Sequence, residues 1–199
     1  MQKTAIFGGT FNPPHLGHRF MLESIATLPE FEKILVLPSK TPPHKKGEIL
    51  SAEHRVKMCK IAFDGVKKAK LCLDELYLEG KSYTVNTLKS FNEKNVLNPA
   101  LIIGGDSLVN FHKWYKYEEI LFLAELYVYK RSGVSDELLL SAKENLEKLG
   151  GKITLLDIYP PEISSSMIRE AFLKGKEPRE FLNPQVLDYI RKNVLYKGE

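Results

Sequence analysis

The stretch from Gly8 to His18 has the residue types of a polyphosphate-binding loop, and it reads Gly-Gly-Thr-Phe-Asn-Pro-Pro-His-Leu-Gly-His. Two glycines after an apolar run let the main chain approach a ligand, and the two prolines hold the entry to the next element extended. His15 and His18 then fall at the start of a predicted helix, where free N–H groups and the helix dipole favour an anion. This stretch, called the glycine–histidine loop below, is therefore predicted to bind phosphates.

The glycine–histidine loop contains neither of the two commoner phosphate-binding patterns, G-x-G-x-x-G and G-x-x-x-x-G-K-[ST]. A purely structural turn and a zinc site are the competing interpretations. A zinc site lacks a credible third ligand beside His15 and His18. A string of eleven residues is also much less apt to be structural than a lone pair of histidines. Phosphate binding is favoured, and no metal site made by the protein is predicted.

A second candidate lies in the last quarter of the chain, where Ser164, Ser165 and Ser166 precede a helical run and Arg169 falls one turn into it. Hydroxyl groups and free N–H groups at a helix start can receive an anion, and an arginine can bind pyrophosphate with two parallel hydrogen bonds. The residues alone leave a second interpretation open, in which the serines only cap the helix and Arg169 is a surface charge.

The elements that must position these residues alternate along the chain. Six short apolar runs are typical of buried parallel strands, and they are Thr4–Phe7, Lys33–Leu37, Lys70–Leu73, Ala100–Ile103, Leu126–Tyr129 and Lys152–Leu156. Helical periodicity covers Leu16–Leu28, Ser51–Phe63, Thr84–Asn92 and Ser135–Leu149. The alternation predicts an α/β fold, a Rossmann-like doubly wound parallel sheet with helices on both faces. Its ligand crevice is expected at the carboxyl ends of the strands.

Residues 160–199 depart from this alternation. A loop is followed by a predicted helix over Ser165–Phe172, a linker over Lys174–Arg179, and a helix with Asn183 as its cap and Pro184 as its first residue. They are predicted to form a small C-terminal helical extension packed on the main domain. Because no repeat or sharp change of composition divides the chain, residues 1–199 are predicted to be a single domain.

The composition is that of an ordinary globular protein, with 199 residues, 43% hydrophobic and 27% charged. Its longest apolar run, Ile120–Ala124, is far short of the roughly 20 residues of a membrane-spanning helix. Met1–Gly9 lacks the pattern of a secretory signal, so a cytoplasmic location without a membrane partner is expected. A net charge of +4 suits a phosphate-bearing small molecule but not nucleic acid. Cys59 and Cys72 indicate neither a disulfide framework nor a zinc site.

The His-x-Gly-His core of the glycine–histidine loop resembles the nucleotidyltransferase superfamily. Four further segments, in the same order along the chain, resemble the bacterial nicotinate mononucleotide adenylyltransferases. They are Pro42-Pro43-His44-Lys45, Ser82-Tyr83-Thr84, Gly104-Gly105-Asp106-Ser107 followed by Trp114-Tyr115, and Ile163-Ser164-Ser165-Ser166-x-Ile168-Arg169. The resemblance extends from Ile6 to Arg169, with one departure at Asn12, where many relatives have Asp. It implies transfer of AMP from ATP to nicotinate mononucleotide, giving deamido-NAD and pyrophosphate.

The resemblance also implies which residues form the site. For ATP they are Gly8, Gly9, Thr10, Phe11, His15, Gly17, His18, Gly104, Asp106, Ser164, Ser165 and Arg169. Among these, His15, His18 and Arg169 are implied to be catalytic. For nicotinate mononucleotide they are His44, Lys45, Tyr83, Thr84, Asp106, Trp114 and Tyr115. Trp114 is expected to stack on the pyridine ring, and Mg²⁺ is implied because ATP is the co-substrate.

Two alternatives stay open from the sequence. A phosphopantetheine adenylyltransferase shares the glycine–histidine loop, although such chains are usually shorter and lack the region around Trp114 and Tyr115. A nucleotide-binding regulator without catalysis is the alternative from another class, and the presence of both histidines with Arg169 argues against it. Turnover of phosphopantetheine would identify the first, and absence of pyrophosphate release the second.

Overall fold

A parallel sheet forms the centre of the computed structural model, which describes residues 2–40, 49–77, 82–96, 98–130 and 133–196. Within these residues six strands are ordered β3-β2-β1-β4-β5-β6. Their bounds are β1 Lys3–Gly9, β2 Phe31–Pro38, β3 Ala69–Leu71, β4 Ala100–Gly104, β5 Glu125–Tyr129 and β6 Ile153–Leu156. Each predicted strand is present, and every pairing is parallel.

The strand order reverses between β1 and β4, the two central strands. β1 pairs with β2 as far as its last residue, Gly9, which lies beside Pro38. With β4 it pairs at Ala5 and Ile6, in its middle. In open α/β sheets, ligands bind at such a reversal, outside the carboxyl ends of the strands. The glycine–histidine loop leaves β1 at this point.

Helices connect the strands and cover both faces of the sheet. They are α1 Leu16–Thr27, α2 Ala52–Ala62, α3 Asp74–Tyr77, α4 Thr84–Glu93, α5 Gly105–Val109, α6 Tyr117–Leu123, α7 Asp136–Glu147, α8 Ser165–Leu173 and α9 Pro184–Lys192. Ser51, Ser135 and Asn183 cap α2, α7 and α9 with their side-chain oxygens, and the cap at Asn183 is the one that the sequence analysis predicts. Across the described part of the chain, no helix has both the length and the apolar character that crossing a bilayer requires.

Two hydrophobic layers enclose the sheet. One contains buried residues of α1, α2 and α9, such as Leu22, Met58 and Val186. The other contains buried residues of α4 and α7, such as Leu88 and Leu139. The predicted α/β architecture with helices on both faces is therefore confirmed, and the sheet holds the carboxyl ends of its strands in fixed positions.

The C-terminal segment belongs to the first of these layers. Val186, Leu187 and Ile190 of α9 are buried there together with residues of α2. The two helices also share a polar contact, with 2.9 Å between His54 Nδ1 and the Tyr189 hydroxyl. The chain then turns after α9 and buries Leu195 in the same layer.

Candidate active site

The glycine–histidine loop packs part of itself into the core. Phe11 is 1% exposed, and its ring lies edge-on to His18 and Phe63, with centroids 5.0 and 5.5 Å away. A Cβ atom at Gly9 would lie 2.8 Å from this ring, so only glycine leaves space for it. Phe11, a residue predicted to bind ATP, is thus a buried side chain whose ring packs against His18.

The two histidines form a stacked pair at the start of α1. Their ring centroids are 3.7 Å apart and the planes differ by 25°. His18 Nδ1 accepts the backbone N–H of His15 at 3.2 Å. Because one nitrogen of a neutral imidazole accepts and the other donates, the proton of neutral His18 lies on Nε2. His18 therefore presents a hydrogen-bond donor.

A cavity of about 280 Å³ lies beside this pair. It is lined by His15, Gly17, His18, Met21, Tyr129, Pro160, Pro161, Ile163, Ser164, Ser165 and Ser166. Two predicted phosphate-binding segments, from opposite ends of the chain, therefore share one cavity. Tyr129 was not predicted, although its position at the carboxyl end of β5 is the signal that could have found it.

The three serines at the start of α8 have three different partners. Ser164 caps the helix by accepting the Met167 backbone N–H at 3.2 Å. Ser165 donates its hydroxyl to the Pro13 carbonyl at 2.8 Å. Ser166 accepts a hydrogen bond from Arg169 Nη2 at 3.2 Å. Capping is thus one role of this segment. The Ser165 contact joins α8 to the glycine–histidine loop, and the Ser166 contact lies within the helix.

Arg169 is bound to the glycine–histidine loop itself. Its Nη1 atom donates to the carbonyl oxygen of Asn12 at 2.8 Å, across 157 positions of the chain. Together with the Ser166 contact, two N–H groups of the guanidinium hold it in one orientation. The guanidinium of Arg169 thus reaches a buried residue, since Asn12 is only 2% exposed.

A second arginine, which the sequence analysis missed, donates a hydrogen bond to the main chain of the glycine–histidine loop. Arg55 of α2 is 1% exposed and donates to the carbonyls of Thr10 at 2.8 Å, Leu50 at 3.0 Å and Lys40 at 3.2 Å. Burial lowers the pKa of its guanidinium. The signal was present in the sequence, because Arg55 shares the buried face of α2 with Met58, at the i, i+3 spacing of a core position.

The residues predicted for the mononucleotide lie in a second group. Thr84 begins α4 and Tyr83 precedes it as the cap residue. The rings of Tyr83 and Tyr115 are 4.6 Å apart, and Trp114 packs 5.0 Å from Phe111. None of these residues lines the 280 Å³ cavity. His44 and Lys45 lie outside the described residues.

Gly8 and Asp106 lie at and just after the carboxyl ends of the two central strands, β1 and β4. Gly8, at the end of β1, lines a small cavity of about 40 Å³ together with Thr84. Asp106 is the exposed second residue of α5, whose cap position belongs to Gly104. A Cβ atom at Gly104 would lie 2.6 Å from Asp106 Oδ1, so this glycine lets the carboxylate fold back over the end of β4. Asp106 therefore does not occupy the capping position.

Glu75 of α3 lines the same small cavity. Burial raises the pKa of its carboxyl group, although a hydrogen bond with Ser82 and the charge of Arg55 act in the opposite direction.

Within the described residues, no three His, Cys, Asp or Glu side chains lie close enough together to hold a metal ion.

Comparisons with known proteins identify the family. The cytidylyltransferase-like family model matches residues 6–171. The nicotinate-nucleotide adenylyltransferase of Bacillus subtilis is 36% identical over 201 residues, covering 100% of both chains. A probable nicotinate-nucleotide adenylyltransferase of Lactococcus lactis is 37% identical over 198 residues, which cover 98% of this chain and 96% of that protein. The chain belongs to the nicotinate-nucleotide adenylyltransferase family. The resemblance seen in the sequence motifs is thereby confirmed.

Solved structures support the same fold. The nicotinic acid mononucleotide adenylyltransferase of Plasmodium falciparum, complexed with NaAD, superposes with a TM-score of 0.80 at 23% identity and covers 98% of each chain. A putative nicotinate-nucleotide adenylyltransferase of Vibrio parahaemolyticus has a TM-score of 0.64 at 24% identity, with both chains fully covered. The architecture of this adenylyltransferase is thus shared by proteins with under a quarter of their residues in common.

Proposed function

We propose that this adenylyltransferase transfers AMP from ATP to nicotinate mononucleotide and releases pyrophosphate and deamido-NAD. The observation that carries the proposal is the cavity shared by the glycine–histidine loop and the start of α8. Imidazole rings, hydroxyl groups and two helix N-termini converge there, and each of these groups stabilises phosphate oxygens. Membership of the nicotinate-nucleotide adenylyltransferase family indicates which substrates such a cavity would bind.

In the proposed reaction a 5′-phosphate oxygen of the mononucleotide attacks the α-phosphorus of ATP. The bond between the α-phosphorus and its bridging oxygen breaks, and pyrophosphate leaves with the electron pair. The protein has little covalent chemistry to perform, so the rate depends on positioning and on neutralising charge. His18 suits this task, because its Nε2–H can donate to the phosphate oxygens as negative charge moves onto the leaving group.

Arg169 is proposed to bind the same phosphates with N–H groups other than the two engaged by Asn12 and Ser166. Those two contacts orient the guanidinium before ATP arrives. A donor held in place in this way loses little freedom when it binds and needs no reorganisation during the reaction. His15 is proposed to act beside His18, on which its ring is stacked.

The second group of residues is proposed to select the mononucleotide. Trp114 offers a ring on which pyridine can stack. The N–H groups at the start of α4, near Thr84, suit the ring carboxylate, and Asp106 suits sugar hydroxyls. The roles of His44 and Lys45 near the incoming phosphate stay predictions.

Mg²⁺ is proposed to enter as part of the ATP substrate. The donors around the large cavity are mainly imidazole and hydroxyl groups, whereas Mg²⁺ prefers carboxylate and phosphate oxygens. The triphosphate itself supplies such oxygens, and the ion would neutralise charge on the leaving pyrophosphate.

The cytoplasmic location expected from the sequence stays a prediction.

A pyrophosphate-release assay tests the proposal directly. The protein is mixed with ATP, Mg²⁺ and one acceptor at a time: nicotinate mononucleotide, nicotinamide mononucleotide or phosphopantetheine. Release with the nicotinate compound, together with deamido-NAD detected by mass spectrometry, supports the proposal. Release with phosphopantetheine alone, or with no acceptor, contradicts it.

A further inference from the structure

The turn after α9 brings Tyr196 back to the glycine–histidine loop. Val194 and Tyr196 both have left-handed backbone conformations, with φ of 54° and 61°. Residues other than glycine adopt this conformation rarely, and it persists where surrounding contacts compensate its cost. Leu195, between them, is 7% exposed and packs in the core. The turn thus buries Leu195 and directs the side chain of Tyr196 inward.

The Tyr196 hydroxyl donates a hydrogen bond to the side-chain oxygen of Asn12, with 2.8 Å between the two atoms and 184 positions between the residues. The same Asn12 oxygen accepts the backbone N–H of Leu50 at 3.4 Å, which identifies it as the acceptor, because an N–H can only donate. Burial raises the pKa of the Tyr196 hydroxyl. Tyr196 therefore keeps its proton and remains a donor at neutral pH.

Asn12 connects this hydroxyl to Arg169. Its side chain binds Tyr196, and its backbone carbonyl accepts Arg169 Nη1 at 2.8 Å. The ring of Tyr196 also lies parallel to that of Phe172 in α8, with 6.1 Å between the centroids and 21° between the planes. Tyr196 thus contacts both the residue that holds Arg169 and the helix that carries it.

We propose that Tyr196 is a positioning residue for Arg169. Its hydroxyl fixes the Asn12 side chain, and the Asn12 carbonyl then holds the guanidinium in the orientation that ATP needs. The inference rests on the proposed function, since it takes Arg169 to bind ATP. The departure at Asn12 is consistent with it, because an amide oxygen accepts the tyrosine hydroxyl as a carboxylate oxygen would.

Tyr196→Phe tests the proposal, with Tyr189→Phe as the matched control. Both tyrosines are half-buried and follow α8 in the chain, and each hydroxyl has a polar partner. The hydroxyl of Tyr189 contacts His54, on α2, whereas that of Tyr196 contacts Asn12. Both substitutions keep the ring and remove one hydrogen bond. Similar small losses of melting temperature are therefore expected for the two variants.

The kinetic effects are expected to differ. Tyr196→Phe should lower kcat/KM for ATP about fivefold, the scale for one neutral hydrogen bond, and leave KM for nicotinate mononucleotide within twofold of the parent. Tyr189→Phe should leave both parameters within twofold. Asn12→Ala, which removes the acceptor instead of the donor, should reproduce the loss toward ATP. A role in stability alone would affect both tyrosine variants and both substrates equally.

A double-mutant cycle asks whether Tyr196 acts through Arg169. Under single-turnover conditions with enzyme in excess, Tyr196→Phe should cause less than a twofold further loss in an Arg169→Ala background. A full fivefold loss there would contradict the proposal. The same holds for an unchanged kcat/KM for ATP in Tyr196→Phe, or for an equal loss in Tyr189→Phe.

The proposed function is tested separately by the parent protein. If the parent releases no pyrophosphate with nicotinate mononucleotide, the proposed function fails whatever the variants do. Calorimetric titration with ATP then still tests the positioning role. A weaker ATP affinity in Tyr196→Phe but not in Tyr189→Phe supports it, and equal affinities contradict it.

Discussion

Two proposed parts of the site are built in different ways. The phosphate side contains His15, His18 and the start of α8, and the ring side contains Tyr83, Trp114 and Tyr115. On the phosphate side, hydrogen bonds join the glycine–histidine loop to α8 across more than 150 positions, and His15 is 7% exposed. On the ring side, aromatic rings contact one another near the surface, and Tyr115 is 50% exposed. The phosphate side is held by directional hydrogen bonds between partly buried groups, and the ring side by contact between flat aromatic surfaces.

The difference corresponds to two demands of one reaction. Charge develops on the phosphates during the transfer, and donors stabilise it best when they are oriented beforehand. The pyridine ring does not react, so its side of the site must recognise rather than stabilise a transition state. In the proposed function, stacking supplies affinity there, and a few N–H groups supply selectivity. Damage to the phosphate side should therefore slow the reaction, whereas the ring side should decide which substrate reacts.

His18→Ala is expected to have the largest effect. The variant loses the Nε2 donor and should lower kcat by about a hundredfold or more, the scale for one preorganised donor, with a smaller change in ATP affinity. Pyrophosphate release and ATP titration measure the two quantities. His54→Ala, which removes a histidine outside the cavity, is the control and should keep kcat within about twofold. A loss below about threefold in folded His18→Ala would remove His18 from the mechanism.

The ring side is expected to favour nicotinate over nicotinamide mononucleotide by about a hundredfold or more in kcat/KM. Stacking on Trp114 is nearly blind to the ring substituent, so discrimination must come from N–H donors near Thr84 and Tyr115. A carboxylate accepts with both oxygens, whereas an amide places its NH₂ group against a donor. Rates with both compounds at saturating ATP measure the ratio. Equal efficiencies would mean that stacking dominates, and a preference for the amide would contradict the proposed substrate.

Arg169→Lys keeps the charge of the phosphate side but loses the planar fork. An ammonium group cannot reproduce both the Asn12 and the Ser166 contacts while also binding phosphate in two places. KM for ATP is expected to rise about tenfold, the scale of one charge-assisted hydrogen bond, with a smaller fall in kcat. Steady-state kinetics at varied ATP measure both. If the variant equals the parent in both parameters, the guanidinium is not a two-point ligand of ATP.

Glu75→Gln is expected to have the smallest effect, on stability near the ring side. Burial raises the pKa of this carboxyl group in the folded state. Its contribution to stability is therefore present below the unfolded pKa of about 4.3 and is lost as the pH rises through the folded value. Glutamine cannot ionise, so the variant should melt about 2 °C above the parent at pH 8 and no higher than it at pH 4.

The matched control for this variant is Glu93→Gln, which changes an exposed carboxylate at the end of α4. It should melt within about 1 °C of the parent at both pH values, as surface substitutions usually do. Equal melting temperatures of Glu75→Gln and the parent over the whole range would show that Ser82 and Arg55 fully offset the burial of Glu75.

The sequence predicted the fold well because long patterns determine it. Six apolar strand runs alternate with helical periodicities, including those of the capped helices α2, α7 and α9, and this alternation extends over most of the chain. The short helices α5 and α6 were missed, since five and seven residues are too few to show a helical period. Packing against the sheet, rather than local preference, makes them helical.

The contacts around the candidate site were predicted less completely than the fold. Motifs indicated His18 and Arg169. The partner that orients Arg169 is a backbone carbonyl, however, and every residue has one, so the residue types do not predict this contact. Arg55 and Tyr196 were missed for a related reason. Their roles depend on where a distant part of the chain passes, and that depends on the packing of the whole molecule.

Arg55 also connects three separate parts of the main chain. It binds the carbonyls of Lys40 and Leu50, on either side of residues 41–48, as well as that of Thr10 in the glycine–histidine loop. Lys40, Leu50 and Thr10 are thus joined through one guanidinium. A movement of either Lys40 or Leu50 would therefore be transmitted through one buried side chain to the main chain of the glycine–histidine loop.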